Sequence, residues 1–146
     1  MNDDGMTHAE RNADGHAASI LEMYRAWKAL NEGEATAQFE GEEYTDTGDL
    51  TSRATEAALD AQVREGWHQL GTEADDGEFQ ILLTWGGPAL RIIGALEGGE
   101  PSEAEFEIQD WGTPWTGYEP RFAAADDEQE WPDALLWFVG CFYFGE

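Results

Sequence analysis

Residues 79 to 108 read FQILLTWGGPALRIIGALEGGEPSEAEFEI, and their alternation decides the fold. Phe79, Ile81, Leu83 and Trp85 recur every second residue in a first run. Leu90, Ile92 and Leu96 do so in a second, and Ala104, Phe106 and Ile108 in a third. A period of two puts the apolar residues of each run on one side of a pleated strand. The connectors, Gly86-Gly87-Pro88 and Gly98-Gly99-Glu100-Pro101, are turn-forming and too short for the crossover that parallel neighbours require. The stretch therefore predicts an antiparallel meander.

Upstream, Ile20, Met23, Tyr24, Trp27 and Leu30 recur at intervals of three and four, and Gly33 follows as a C-cap. This predicts a helix from about His16, preceded by a loosely ordered lead-in over residues 1–15. Thr7-His8-Ala9-Glu10 has the form of a capping box and offers an earlier start. Residues 34–50, rich in acids and glycine, read as a loop with a short extended piece between Phe39 and Tyr44. A second helix is expected from a cap at Thr51 or Ser52 to about Leu70. Its face would carry Leu59, Val63, Trp67 and Leu70, with Asp60 and Arg64 paired one turn apart. Near the end, Leu135, Phe138, Val139 and Phe142 have helical spacing in a run that is apolar all round. A helix packed on the sheet is preferred and a buried strand stays open. The expected whole is one α+β domain over residues 1–146: an antiparallel sheet of three to four strands, with two N-terminal helices and a C-terminal helix on one face.

Charge narrows the function. The chain has 146 residues, with Asp+Glu 32 against Lys+Arg 7 and a formal net charge of −25; Lys28 is its one lysine. Such a surface repels nucleic acid and anionic membranes, which need a positive footprint, so the expected partner is a basic protein. A hydrophobic fraction of 41% and seven tryptophans distinguish the chain from disordered acidic sequences. The polar N-terminus is unlike a signal peptide. The longest apolar run, residues 134–145, is shorter than the ~20 residues of a membrane span. A cytoplasmic location follows as the expectation, and homodimerisation through the C-terminal segment stays open.

Catalytic signatures are scarce. The chain contains no nucleophile elbow, phosphate-binding glycine loop, zinc-protease helix or paired-cysteine motif. Its histidines are His8, His16 and His68, and its one cysteine, Cys141, reads as a small buried hydrophobe. Neither Glu42–Asp49 nor Asp75–Glu78 has the ligand alternation of a calcium loop, so no metal and no cofactor is expected. A pair of carboxylates acting on a carbohydrate or other small substrate is compatible with so many acids, and makes a small enzyme one alternative.

The acids are clustered. They include Glu40, Glu42 and Glu43; Glu103, Glu105 and Glu107; and Asp126, Asp127 and Glu128. Like charges side by side on a strand face are destabilising, which invites a functional reason for keeping them. Alternate strand residues lie ~6.6 Å apart, and phosphates follow a duplex strand at ~3.4 Å of axial rise, about twice that along the winding backbone. Glu103, Glu105 and Glu107, with no base beside them in sequence, would thus repeat at close to phosphate spacing. Beyond them, Asp110, Trp111, Trp115 and Tyr118 lie in or beside WGTPWTGY, a loop that either lids the core or anchors a partner through its aromatic rings.

In composition the chain resembles the DNA mimics of phages and mobile elements that block restriction or CRISPR nucleases, which are small, strongly acidic, aromatic-containing proteins without catalytic motifs. TWGGPALRIIG and QDWGTPW also look like parts of short proteins from mobile elements. The resemblance covers the whole chain but rests on no residue motif, and such inhibitors share no fold, so it assigns no site residues. It implies an inhibitor that occupies the nucleic-acid site of a nuclease or other basic protein. Salt adaptation, which also yields acid-rich chains poor in lysine, is the other alternative.

Overall fold

The computed structural model describes residues 7–65, 69–71, 76–85, 88–98, 100–110, 114–120 and 130–142. Helix α1, His8–Asn31, takes the earlier of its two starts. Thr7 accepts a hydrogen bond from the Glu10 amide, and the Glu10 carboxylate accepts one from the Thr7 amide. Two N-terminal donors are thereby satisfied, and residues 8–15 are helical rather than a loose lead-in. Ala9, Ala13, Ala17, Ile20 and Met23 form its buried stripe.

The acid-rich segment that follows is a hairpin of β1, Ala37–Phe39, and β2, Glu42–Tyr44. Glu40 and Gly41 between them both have positive φ, 50° and 80°, as a two-residue turn with strand-compatible twist requires. Phe39 carries this hairpin into the core.

Helix α2, Thr47–Glu56, is capped by Asp46, whose carboxylate accepts from the Gly48 amide. It starts before and ends well short of the helix expected over residues 51–70. Asp60–Glu65 is instead strand β3. Ala57 to Glu65 has no strong preference against helix, but pairing with an otherwise bare sheet edge overrides local propensity. The supposed helical pair of Asp60 and Arg64 therefore does not form; Arg64 bonds Glu78 on the neighbouring strand. Trp67 lies outside the described residues.

Strands β4, Asp76–Thr84, β5, Ala89–Glu97, and β6, Glu100–Gln109, form the expected antiparallel meander. With β3 and the short β7, Thr116–Tyr118, they make a five-stranded sheet in the order β3-β4-β5-β6-β7. Both additions are edge strands. Helix α3, Glu130–Gly140, confirms the helical reading of the C-terminal segment and packs on β6 and α1.

The core lies between the sheet and these helices. Phe79, Ile81, Leu83, Leu90, Ile92 and Phe106 meet Ile20, Met23, Trp131 and Phe138 there. Phe106 and Trp131 pack edge to face at 5.3 Å. Gly94 is required in this layer because a Cβ would sit 2.0 Å from the Glu103 carbonyl oxygen and 2.6 Å from the Phe79 ring. With α1 and α3 on the core side, the other sheet face is left for side chains of opposite parity.

Candidate protein-binding face

Parity alone selects what the outer face presents. Residues opposed across β3, β4, β5 and β6 fall into rows: Arg64, Glu78, Ala95 and Glu103 in one, Gln62, Gln80, Ile93 and Glu105 in the next. A third row holds Asp60, Leu82, Arg91 and Glu107. The first two rows, with Arg91 of the third, border a shallow trough of about 550 Å³.

Glu107 is not an open carboxylate. Arg91 directly opposes it and donates from Nε at 2.9 Å and Nη2 at 2.6 Å, with side-chain exposures of only 23% and 17% for Arg91 and Glu107. Arg91 Nη1 also donates to Gln80, and Gln80 donates to Gln62, so one polar chain crosses four strands. The Trp115 ring lies 4.3 Å from the guanidinium carbon in a cation–π contact. This corrects the view that nothing basic stands beside the acidic row. A β-bulge at Ala95 and Leu96 sets the register that brings Arg91 to Glu107.

Glu103 and Glu105 are the open members of the row, both exposed on the outer face. Glu78 joins them from β4 and has Arg64 as its partner. Asp110 is half-buried at the end of β6. Trp115 is half-buried outside the core cluster, and Arg91 of the same chain lies over its ring. Tyr118 opposes Phe106 and donates to Asp14 at 2.8 Å, which ties β7 to α1 on the core side. Trp111, Asp126, Asp127 and Glu128 lie outside the described residues.

Glu40, Glu42 and Glu43 form a separate acidic surface on the β1–β2 hairpin, which packs against α1 rather than beside the sheet. Glu40 accepts from Ser19 and Arg53, both at 3.4 Å, while Glu42 and Glu43 are exposed. The structure thus brings Glu103, Glu105, Glu107 and Trp115 together and leaves the hairpin acids apart.

The arginines follow a pattern. Arg25 forks onto Glu130, and Arg53, Arg64 and Arg91 each engage a carboxylate of this chain. Cations that are already paired within the fold do little to offset Glu42, Glu43, Asp49, Glu56, Glu97, Glu100, Glu103 and Glu105, all exposed.

Groups suited to bond-making chemistry sit elsewhere. Burial pushes the Cys141 thiol up to about 12, and its sulfur donates to the Trp137 carbonyl, so it is not a thiolate at neutral pH. Burial holds His16 below its ordinary value of 6.5. Among the described residues no three His, Cys, Asp or Glu side chains are grouped to hold a metal, and no helix is long and apolar enough to cross a membrane.

No protein-family model matches the chain, and no curated protein or solved structure is significantly similar to it.

Proposed function

We propose that this chain is an acidic decoy that occupies the nucleic-acid site of a basic protein, in the manner of an inhibitor of a nuclease or effector complex. The observation that carries the proposal is the pairing of Arg25, Arg53, Arg64 and Arg91 with carboxylates of this chain, while Glu103 and Glu105 stand exposed on a sheet face that no helix covers among the described residues. The decoy row is shorter than the sequence suggests. Two carboxylates at strand spacing form its centre, and Glu107 serves as a braced neighbour held by Arg91 and Trp115. A paired strand suits the task, since its backbone sets the spacing of the two carboxylates before binding. The host cell's cytoplasm is where such a decoy would meet its target.

The test is affinity capture from host lysate with the full chain at low salt, followed by challenge of the captured complex with duplex DNA or RNA. The expected partner is a basic nucleic-acid-binding protein, released both by nucleic acid and by moderate salt, because many exposed charges are screened together. A partner retained in the presence of saturating nucleic acid would refute the decoy reading. Capture of nothing, with a melting temperature that climbs into molar salt, would reassign the acidity to salt adaptation.

A further inference from the structure

Strand β3 is an edge, and among the described residues no strand pairs with its outer side. Protein edges are commonly blunted by proline, charged side chains (lysine above all), a bulge or extreme shortness. The charges on β3 are of both signs, so they do not repel a strand of the same sequence. Asp60-Ala61-Gln62-Val63-Arg64-Glu65 has neither proline nor lysine, and its ladder with β4 runs in unbroken register over all six residues. The ladders of β4 with β5 and of β5 with β6 both contain shifts. Apolar surface accumulates at the same edge. Val63 opposes Phe79 on the core side yet is 48% exposed, and Leu59 just before the strand is 63% exposed.

We propose that a second copy of this chain covers this edge, β3 pairing antiparallel with β3 about a two-fold axis through Gln62 and perpendicular to the sheet. The order of charges along the strand selects both the occupant and the register. In this register Asp60 faces the partner's Arg64, and Arg64 faces the partner's Asp60. The Arg64 side chain is 80% exposed despite its contact with Glu78, so its remaining N–H donors can be shared with the partner's carboxylate. Gln62 meets its own copy on the outer side, where two amides can exchange hydrogen bonds, and Val63 covers the partner's Ala61 on the core side. A two-fold of this kind keeps the helical layers of both copies on one side, so only slips of whole residues in the centre are available. Centring on Ala61 opposes Asp60 to Gln62, and centring on Val63 opposes Arg64 to Gln62. Both forfeit the two ion pairs. Opposite charges directly across a ladder stabilise their register modestly relative to neutral pairs, which favours the Gln62-centred pairing over the other two. The result is one continuous ten-stranded sheet with the Glu103 and Glu105 face repeated on each half.

The net charge of −25 on each copy opposes this association over long range, so the dimer tightens as salt screens it. That sign is opposite to the one expected for decoy binding, so the two readings fail separately. Sedimentation velocity of the full chain over a dilution series should show a concentration-dependent dimer whose share grows between low salt and ~0.5 M salt. Register is read by cysteine pairing in a Cys141→Ser background. Opposed residues of an antiparallel ladder lie about 4.5–5.5 Å apart at Cα, within disulfide range. Gln62→Cys should therefore give a covalent dimer under mild oxidation, Asp60→Cys alone should not, and Asp60→Cys with Arg64→Cys should. Val63→Lys should abolish the dimer while its circular dichroism and melt stay those of the folded chain. A strictly monomeric wild type at high concentration and high salt overturns the proposal, as do equal cross-linking yields at positions 60 and 62.

Discussion

Arg91 is the residue on which the outer face turns. Its guanidinium joins Glu107, Gln80 and the Trp115 ring, three groups from three different segments. Hydrogen bonds to charged groups contribute about 1.5–3 kcal/mol when protected, and the partial exposure here argues for the lower part of that range. Arg91→Met should therefore destabilise the chain by about 1–2 kcal/mol in urea unfolding, and Trp115 fluorescence should report a more solvated ring. Arg91→Lys should recover little, because a point charge reproduces neither the fork nor the stacking. His16 supplies a pH test. Because burial lowers its proton affinity, the unfolded chain takes up a proton near pH 6.5 that the folded chain refuses. Its contribution to stability is complete above 6.5 and falls as pH drops from there toward the depressed folded value. His16→Gln should flatten the urea midpoint between pH 7.5 and 5.5; a slope there equal to the wild type's would assign the dependence to other groups.

Among the elements, what was legible in the sequence divides by the strength of the apolar signal. The meander was readable because large β-branched and aromatic residues alternate between glycine turns. The start of α1 was nearly hidden, since Ala9, Ala13 and Ala17 are buried but bring little hydrophobic contrast. The capping box was the better guide. Residues 57–65 misled for a different reason: Leu59 and Val63 fit a helical face, whereas the vacancy beside β4 is a tertiary fact. Even the Arg91–Glu107 pair had a trace. A two-residue turn at Gly98-Gly99 would set Ile92 against Glu105, which mixes core and solvent sides, so the alternation itself demands the bulge found at Ala95 and Leu96. Asp46→Ala, which removes the cap that sets where α2 begins, should cost about 0.5–2 kcal/mol. Ending the chain after Asp133 would remove Leu135, Phe138 and Val139, all buried beneath β6 and α1. At ~2–5 kcal/mol for each large side chain, that loss is comparable with the whole stability of a domain this size, about 5–15 kcal/mol. The expected product is an unfolded chain, and a preserved cooperative melt would contradict the place given to α3 in the core.

For the whole molecule, the balance of 32 acids against 7 bases was evident at once, but its distribution was not. Composition alone counts Arg25, Arg53, Arg64 and Arg91 as a diffuse offset, while the fold spends each of them on a particular carboxylate. Of the candidate site, Glu103 and Glu105 were found by strand parity, whereas the bracing of Glu107 and the folding back of Trp115 depend on contacts between distant segments. The central claim is that the outer sheet face, and not charge in general, engages the basic partner. It is tested most directly by titrating the captured partner at low salt with two variants of equal charge, Glu103→Gln/Glu105→Gln on the sheet and Glu42→Gln/Glu43→Gln on the hairpin. Exposed ion pairs are worth ~0.2–1 kcal/mol each, so the sheet variant should bind about 2- to 30-fold more weakly while the hairpin variant stays near wild type. Equal losses from both variants would contradict the claim and leave only diffuse electrostatic attraction.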